Sequence, residues 1–506
     1  MSTTPTAPGI PWSSDLNTLA LRHGDRVAVD TGHAQLTYRE LSQRAHGLAQ
    51  WLLSKGVKPG DFVGIYLPNG IDAVWADYGV TLTGACLVHL NAAYTAREIA
   101  WAGHLAPMRC IVTDHAGKQG LAELPSVEHI LADQVPISID VAPLPPVSAQ
   151  GWARIIYSSG TTGKPKALVY DQLRRWTAMI MLRAVLPFTP QPGSRILLMT
   201  PYVHGASMQA RAWLDYGATA VLLKGVEIDI IRAQLATGEV DAIFAPPTVL
   251  ARLVAAFEGQ RLPSVRCVFT GTQTLTKTLY DKAHAIFGPT VRVTYGKSEN
   301  VNPITVLDAA DTHACFSQNE TQEGACLGWP APGVELGIGE NDEIRLRSQH
   351  MYAGHIDAEG FHAKDDDGWH RTGDLGRIDE RGRLWLLGRM ADVIKTGGYK
   401  VYPDEIETVL CGTPGCGDIC VVALPSEYWG EVIVAVAEQA DTHHAWVENA
   451  QAKVRELARY KHPRAYVALD QLPRNPQGKI SRRAVRDLVL AHYTMQDGAY
   501  PRVLPR

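Results

Sequence analysis

The chain contains the sequence Tyr157-Ser158-Ser159-Gly160-Thr161-Thr162-Gly163-Lys164-Pro165-Lys166 directly after the apolar pair Ile155-Ile156. The apolar pair predicts a strand, and the two glycines allow the backbone after it to curl. Hydroxyl, ammonium and backbone N–H groups along such a curl donate hydrogen bonds to phosphate oxygens. The sequence differs from a Walker A loop, because only two residues separate Gly160 from Gly163 and because Pro165 follows the first lysine. It predicts a phosphate-binding loop of another kind, and a flexible surface turn is the alternative.

Strands and helices alternate on both sides of this loop. A capping box at Thr37-Tyr38-Arg39-Glu40 predicts the start of a helix that ends near Gly56. Short apolar runs predict strands at Asp61–Leu67, Ile196–Met199, Ala220–Leu223, Ala242–Ala245 and Cys267–Phe269. Helices are predicted after two of these strands, at Thr248–Phe257 and Leu275–Phe287. The alternation predicts an α/β architecture with largely parallel sheets.

The composition changes near residues 382–398, where charged residues and glycines are dense. After Tyr402-Pro403 the pattern predicts a compact α+β unit of roughly 100 residues. Its predicted elements are a helix at Asp404–Leu410, strands at Ile419–Ala423 and Val432–Val436, a helix from about Ala445 to Arg459 and a strand at Ala465–Ala468. We therefore predict a large N-terminal α/β domain over residues 1–388 and a small α+β C-terminal domain over residues 389–506.

The overall composition excludes several classes of protein. The 506 residues include 48 Lys and Arg against 52 Asp and Glu, a formal net charge of −4. A chain so close to neutral has no global electrostatic attraction to nucleic acid or to an anionic membrane. No apolar run is long enough to span a bilayer and no signal-peptide pattern is present, so a cytoplasmic protein is expected. Eight cysteines are too few for a disulfide framework and predict reduced, mostly buried thiols.

Four further motifs follow the loop along the chain. Tyr295-Gly296-Lys297-Ser298-Glu299 comes directly after a predicted strand, and Thr372-Gly373-Asp374 supplies a carboxylate in a turn. A longer motif runs from Gly388 to Glu407, and Pro473–Ile480 carries Lys479 next to a glycine. Taken singly, each charged residue here is more often a solvated surface group or a turn cap. Their order along the chain is what indicates one shared site.

Together, the five motifs resemble those of the adenylate-forming superfamily of acyl-CoA synthetases, luciferases and adenylation domains. The motifs spread from residue 157 to residue 480, and the preceding residues are also similar to the N-terminal portion of that superfamily. The resemblance implies a large N-terminal AMP-binding domain of packed subdomains and a small, mobile C-terminal domain, with a hinge at about residues 389–391. It also implies a ligase that uses ATP, Mg²⁺ and CoA: a small carboxylic acid is activated as an acyl-adenylate, pyrophosphate leaves, and the acyl group passes to CoA.

The resemblance also implies a role for individual residues. The implied nucleotide-binding residues are Ser158, Ser159, Gly160, Thr161, Thr162, Gly163, Lys164, Lys166, Gly271, Thr272, Tyr295, Gly296, Ser298, Asp374 and Arg389. Tyr295 is expected to lie against the adenine, and Asp374 to accept hydrogen bonds from the ribose hydroxyls. The implied catalytic residues are Lys479, which bridges the substrate carboxylate and the α-phosphate, His204 at the acyl-binding site and Glu299, which holds Mg²⁺. Gly397, Gly398 and Tyr399 are expected to contact CoA after the small domain rotates.

Ala391 and Lys297 are among the departures from the pattern of the superfamily. Ala391 occupies the hinge position, where a charged residue is usual, and Asp392 follows it. Lys297 adds a cation inside the Tyr-Gly-x-Ser-Glu motif. It is either an exposed lysine or a contact to phosphate or to a polar or acidic group of the substrate.

The acid itself is only loosely indicated. The predicted pocket segments are Tyr202–Trp213, Phe244–Thr248, Phe269–Thr274 and Val293–Asn300, and they mix aromatic, small and polar residues. This mixture favours an aromatic or short-to-medium acid. The main alternative to a CoA ligase is a freestanding adenylation enzyme that loads a carrier protein in trans, and a noncatalytic nucleotide-binding protein is a remote alternative. The sequence leaves the oligomeric state open.

Overall fold

The computed structural model describes residues 9–139, 141, 144–158, 166–271, 273–317, 324–364, 368–439, 445–475 and 479–506, without the side chains of residues 301 and 302. Its α-helices are α1 (Trp12–His23), α2 (Tyr38–Ser54), α3 (Ile71–Leu82), α4 (Ala96–Leu105), α5 (His115–Gly120), α6 (Gln172–Ala184), α7 (Ser207–Leu214), α8 (Ile228–Ala236), α9 (Pro247–Ala256), α10 (Lys277–Phe287), α11 (Ala309–Ser317), α12 (Pro403–Leu410), α13 (Ala445–Lys453) and α14 (Arg482–His492). None of the helices in these ranges combines the length and the apolar character that a membrane span requires.

The strands are shorter and more evenly spread. They are β1 (Val27–Asp30), β2 (Gln35–Thr37), β3 (Phe62–Tyr66), β4 (Cys86–His89), β5 (Cys110–Thr113), β6 (Glu128–Leu131), β7 (Trp152–Ser158), β8 (Lys166–Asp171), β9 (Arg195–Leu198), β10 (Thr219–Leu222), β11 (Val240–Phe244), β12 (Cys267–Gly271), β13 (Val291–Lys297), β14 (Asn300–Leu307), β15 (Ala325–Pro330), β16 (Val334–Ile338), β17 (Glu343–Ser348), β18 (Gly354–Asp357), β19 (Gly360–Ala363), β20 (His370–Ile378), β21 (Leu384–Arg389), β22 (Ile394–Thr396), β23 (Tyr399–Val401), β24 (Ile419–Ser426), β25 (Gly430–Glu438), β26 (Ala465–Leu469), β27 (Tyr493–Gln496) and β28 (Arg502–Pro505).

The strands form two large sheets and one small sheet. The largest has the order β16-β17-β20-β21-β15-β14-β13-β12-β11-β9-β10-β1-β2, and the second has the order β19-β18-β8-β7-β4-β3-β5-β6. Strands β23-β22-β25-β24, with β26 beside β25, form the small sheet of the C-terminal part, and β27 pairs with β28. This is the expected mixed α/β fold, with a large N-terminal part and a smaller α+β C-terminal part.

The prediction of largely parallel sheets is wrong for about half of the largest sheet. Strands β1, β10, β9, β11, β12 and β13 pair in parallel, but every pair from β13 outward to β16 is antiparallel. Parallel neighbours need a crossover, usually a helix, whereas short turns join antiparallel neighbours. Helices separate β9, β10, β11, β12 and β13 along the chain, and short turns separate most of the strands between residues 325 and 389.

Local sequence signals set most of the predicted element ends. Thr37 and Glu40 form the predicted capping box, and α2 ends at Ser54. The exception is the helix predicted from Ala445 to Arg459, because α13 ends at Lys453 and short 3₁₀ turns at Val454–Glu456 and Arg459–Lys461 follow it. Trp446 and Val454 are buried against the small sheet. We infer that this packing favours the short turns over a longer helix.

A helical layer joins the two large sheets. Val63 of the second sheet and Ala220 of the largest sheet belong to one buried cluster with Trp75 of α3 and Trp213 of α7. Inside this layer the carboxylate of Asp77 on α3 accepts hydrogen bonds from Arg175 on α6, at 2.8 Å, and Arg211 on α7, at 2.9 Å. These three side chains are 2–6% exposed. The two arginines outweigh the effect of burial and hold the pKa of Asp77 well below its ordinary value.

The connection between the two parts of the chain is short. Strand β21 ends at Arg389 in the largest sheet, and β22 begins at Ile394 in the small sheet. Arg482 on α14 donates to the carboxylates of Asp392, Asp404 and Glu407, at 2.5, 2.7 and 2.8 Å. These contacts attach Asp392 to the C-terminal part. All eight cysteines of the chain are free, as predicted. Only Cys86, Cys110, Cys267 and Cys420 are buried, so the prediction of mostly buried thiols is wrong for the other four.

Candidate active site

A cavity of about 1510 Å³ lies where the two large sheets meet the C-terminal part. Residues from every predicted motif reach its wall. The predicted site residues that line it are Ser158, Lys166, His204, Gly271, Gly296, Ser298, Glu299, Asp374, Arg389 and Lys479. Residues distant in the sequence therefore share one cavity.

The remaining predicted site residues fall into two groups. Ser159, Gly160, Thr161, Thr162, Gly163, Lys164 and Thr272 lie outside the described residues. Four predicted site residues are described but do not line the cavity, namely Gly397, Gly398, Tyr399 and Tyr295. Gly397 and Gly398, at φ +57° and +86°, turn the chain between β22 and β23, and the ring of Tyr399 stacks on that of Tyr460 with centroids 4.3 Å apart.

The Tyr-Gly-x-Ser-Glu motif is anchored through its backbone. The Tyr170 hydroxyl donates to the Ser298 carbonyl at 2.6 Å, and the Tyr352 N–H donates to the Glu299 carbonyl at 3.0 Å. On the neighbouring strand, a Cβ at Gly271 would lie 2.3 Å from the Thr294 carbonyl oxygen, so only glycine fits there. These contacts leave the side chains of Ser298 and Glu299 at the cavity wall.

The carboxylate of Asp374 is the centre of a small polar cluster. It accepts a hydrogen bond from the Tyr295 hydroxyl at 2.5 Å and one from the Lys297 ammonium at 3.1 Å, and Arg389 Nε lies 3.4 Å away. Lys297 also donates to the Thr372 carbonyl at 2.9 Å. Its side chain is 14% exposed, so the interpretation of Lys297 as an exposed lysine is wrong. The Tyr295 ring is buried and fixes Asp374 through its hydroxyl.

Lys479 extends from the C-terminal part into this cluster. Its backbone N–H donates to the Asn475 side chain at 3.0 Å, which holds the backbone at Lys479. Burial, with the nearby charges of Arg389 and Lys297, lowers the pKa of Lys479 to about 8, and Asp374 acts in the opposite direction. An anion that entered the cavity would counter both cations and stabilise the ammonium form.

His204 also lines the cavity, and a buried arginine holds the segment that carries it. Arg154 on β7 donates to the Val203 carbonyl at 3.0 Å and to the Ser207 hydroxyl at 3.2 Å. Burial, followed by the charges of Arg154 and Lys479, lowers the pKa of His204 to about 4, so the imidazole is neutral near pH 7. Sequence reasoning missed Arg154. Its signal was a single arginine inside an apolar strand, since a charged residue in such a position is rare unless it is paired.

All four predicted pocket segments contribute to the wall of the cavity. Its described lining includes Gly205, Met208, Gln209, Phe244, Thr248 and Gln273. Gln209 is 7% exposed, and its Oε1 has no hydrogen-bond partner among the described residues. The wall is therefore mixed, with apolar side chains beside polar ones.

Two buried histidines predict how stability depends on pH. Burial lowers the pKa of His89 to about 3 and that of His350 to about 4, and both side chains are 2% exposed or nearly so. Unfolded histidine titrates near pH 6.5. Between these values the unfolded chain binds a proton that the folded chain does not, so stability is full above pH 6.5 and falls as the pH drops. Each histidine contributes a slope of up to about 1.4 kcal/mol per pH unit.

Urea unfolding at pH 7.5, 6.0 and 5.0 measures this slope. The variant His350→Gln should reduce the dependence of the free energy of unfolding on pH by about the contribution of one histidine. The control His115→Gln replaces an exposed histidine and should leave it unchanged. Equal slopes in all three proteins would contradict the prediction.

Comparison with known proteins gives a consistent family. Residues 16–353 match the family model described as AMP-binding enzyme, and residues 405–479 match the model described as AMP-binding enzyme C-terminal domain. Together the two matches cover both parts of the fold.

Individual relatives align along nearly the whole chain. A 2-succinylbenzoate–CoA ligase of Bacillus cereus is 27% identical over 471 residues, which cover 92% of this chain and 96% of that protein. A 7a-methyl-1,5-dioxo-octahydro-1H-inden-4-yl propanoyl:CoA ligase of Mycobacterium tuberculosis is 29% identical over 508 residues, covering 94% and 98%. The o-succinylbenzoate CoA synthetase from Bacillus subtilis, solved with its acyl-adenylate intermediate, has a TM-score of 0.82 at 26% identity and covers 94% and 98%. Its complex with ATP and magnesium ion has a TM-score of 0.80 at 25% identity, covering 94% and 99%.

Proposed function

Because the chain belongs to the family of AMP-binding enzymes, we propose that it joins a carboxylic acid to coenzyme A in two steps. The acid displaces pyrophosphate from the α-phosphate of ATP, and the thiol of CoA then displaces AMP from the acyl carbon. The named relatives are CoA ligases, which supports this chemistry. The observation that carries the proposal is that Lys479, Asp374, Arg389 and Glu299 line one cavity.

The first step brings a carboxylate against an anionic phosphate. Such a reaction needs positive charge at the point of attack, because the two reactants repel each other. Lys479 is the proposed bridge between the two oxygens that meet there. Burial, followed by the charges of Arg389 and Lys297, lowers its pKa to about 8, and a bound triphosphate would counter those two cations. Arg389, at 63% exposure, is free to swing from Asp374 towards a phosphate.

The nucleotide would be oriented by its ribose and its phosphates. Asp374 is proposed to accept from the ribose hydroxyls, and the contacts from Tyr295 and Lys297 hold its carboxylate in one orientation for that purpose. Lys166 and Ser158 stand at the two ends of the phosphate loop and line the same cavity. The side chain of Glu299 supplies a hard carboxylate oxygen there. It fits Mg²⁺, which would neutralise and orient the phosphate oxygens when bound.

The second step requires a different face of the C-terminal part. We propose a domain boundary at residues 389–391, supported by the change from the largest sheet to the small sheet after Arg389. The attachment of Asp392 to Arg482 supports a pivot at Met390 and Ala391. Rotation there would withdraw Lys479 and bring Gly397, Gly398 and Tyr399 to the cavity as the proposed CoA contacts.

The proposed acid is aromatic or short to medium in length. Phe244 and Met208 offer apolar contacts beside the polar ends of Gln209 and Thr248. A benzoate derivative appears in the names of two of the relatives, which supports the aromatic alternative. His204, neutral near pH 7, is proposed to lie next to the carboxylate without adding a charge.

Pyrophosphate release with a panel of aliphatic, dicarboxylic and aryl acids tests this function. Each acid is run with MgATP, with and without CoA. Turnover that depends on CoA, with AMP and a thioester as products, is expected for one acid class. Adenylate formation that is indifferent to CoA would favour loading of a carrier protein in trans, and no pyrophosphate release with any acid would contradict the proposal.

Lys297 should affect the KM for ATP and not the preference among acids. Its ammonium contacts Asp374 and the Thr372 carbonyl. The variant Lys297→Met removes both contacts and keeps an apolar side chain of similar length. The KM for ATP should therefore rise about tenfold, which corresponds to the loss of one charged hydrogen bond. The order of preference among acids should stay the same. Steady-state kinetics at saturating acid measure the first quantity, and the acid panel measures the second.

The control for this variant is Lys277→Met, which removes an exposed lysine from its pair with Asp281 at 2.8 Å. It should leave both quantities unchanged. A changed acid preference with an unchanged KM for ATP would instead indicate that Lys297 contacts the acid.

A further inference from the structure

Two histidines and an aspartate lie together on one face of the hairpin formed by β18 and β19. His355 and His362 are direct cross-strand partners, and Asp357 follows His355 by two residues. Side chains two residues apart in a strand point to the same face, as do directly opposite residues of an antiparallel pair. The hairpin backbone therefore brings three metal-ligating side chains together without any help from a motif of the active site.

The ligand atoms of these side chains are already close. Asp357 Oδ1 lies 2.9 Å from His362 Nε2, and Asp357 Oδ2 lies 3.6 Å from His355 Nε2. All three ligand atoms lie within 4.8 Å of one another. Bonds of about 2.0–2.2 Å to a tetrahedral ion place its ligands about 3.4 Å apart, so the cluster needs only small side-chain rotations to surround one ion. The side chains are 22–41% exposed, which leaves a path from solvent and room for water as a fourth ligand.

We propose that His355, Asp357 and His362 bind one divalent transition-metal ion, with Zn²⁺ as the best chemical match, in competition with the ammonium group of Lys166. Two imidazoles and one carboxylate suit zinc and its neighbours in the first transition row, and magnesium prefers all-oxygen sites. Its three ligands do not include Glu299, the residue proposed to hold Mg²⁺, although His355 and Glu299 line the same cavity.

The competition follows from the position of Lys166. Its Nζ lies 3.1 Å from His355 Nε2 and 4.0 Å from Asp357 Oδ2, so it contacts two of the proposed ligands. A nitrogen that accepts a hydrogen bond from the ammonium group cannot bind a metal ion at the same time, and the two cations repel each other. Because Lys166 also lines the nucleotide cavity, an ion on the hairpin would change the position of a proposed phosphate contact.

Direct metal binding to the untagged, metal-stripped full chain tests the proposal without ATP, acid or CoA. Zn²⁺ is titrated against a chromophoric chelator, and Co²⁺ is followed by its visible absorption. The wild-type chain should take up one ion. His362→Ala should weaken uptake at least about 100-fold, because loss of a direct ligand costs no less than loss of a supporting contact. His115→Ala, which removes an exposed histidine paired with Asp133 at 3.0 Å, is the matched control and should bind as wild type does.

The variant Lys166→Met tests the competition. Removing the ammonium group should tighten Zn²⁺ binding about tenfold or more. The site would be refuted by the absence of stoichiometric uptake or by equal uptake in His362→Ala, and the competition by an unchanged affinity in Lys166→Met. Each readout is a binding constant, so the proposal stands or falls independently of the ligase activity.

Discussion

Replacing Lys479 with alanine should lower the rate of acyl-adenylate formation by about 10²–10³-fold. The ammonium group would neutralise charge that appears where the acid carboxylate meets the α-phosphate. In the free enzyme the ammonium group of Lys479 is buried near the cations Arg389 and Lys297. It is therefore in place before the substrates bind. A preorganised donor of this kind contributes mainly to the transition state, and its loss should reduce kcat more than it raises KM.

Pyrophosphate release in a single turnover measures this first step. The second step is measured separately by supplying the acyl-adenylate and following thioester formation with CoA. It should continue in Lys479→Ala, because the proposed rotation would withdraw the lysine from the cavity in that step. Lys453→Ala, which removes a lysine whose contact is the Cys411 carbonyl, is a control from the same part of the chain. Normal adenylation in Lys479→Ala would refute the role, and equal loss of both steps would indicate a folding defect.

Asp77→Ala should have the largest effect on stability. The change leaves Arg175 and Arg211 without their shared carboxylate, in an environment where both side chains are 3–6% exposed. An uncompensated buried charge costs about 3–5 kcal/mol in the free energy of unfolding. Because these residues join α3, α6 and α7 between the two large sheets, the loss should appear in the N-terminal part of the fold.

Urea unfolding followed by tryptophan fluorescence at pH 7.5 measures this loss, since Trp75 and Trp213 are buried in the same helical layer. The matched control is Asp25→Ala, which breaks an exposed pair with Arg39 at 2.9 Å and should cost less than about 1 kcal/mol. Similar midpoints for both variants would contradict the prediction. It would then follow that the two arginines find other partners or water.

The fold was predictable where local signals agreed with each other. The capping box at Thr37 and Glu40 and the apolar runs of the parallel strands depend on neighbours in the sequence, so they predicted α2, β9, β10, β11 and β12 to within about two residues. The antiparallel half of the largest sheet was missed because an apolar run indicates that a strand is present. It does not indicate which neighbouring strand pairs with it. The shortened α13 was missed because tertiary contacts decide the end of a weakly amphipathic helix.

The site divides in the same way. Residues that carry the motifs, among them Asp374, Glu299 and Lys479, were predicted from their order along the chain and lie at one cavity. Arg154 was missed because its contacts, to Val203 and Ser207, are about 50 residues away in the sequence. The pairing of Lys297 with Asp374 and that of Lys166 with His355 were also invisible, since each joins residues on separate strands.

The sequence alone was sufficient for the family, the class of fold and the residue types that line the cavity, because chemistry at phosphate requires particular side chains and their linear order is specific. Only the tertiary structure decided which charge faces which. The partner of Lys297, the lowered pKa of Lys479 and the cluster of His355, Asp357 and His362 depend on distances of a few ångströms between distant segments. Electrostatic interactions weaken with distance and depend on burial, and the sequence alone specifies neither the distances nor the burial.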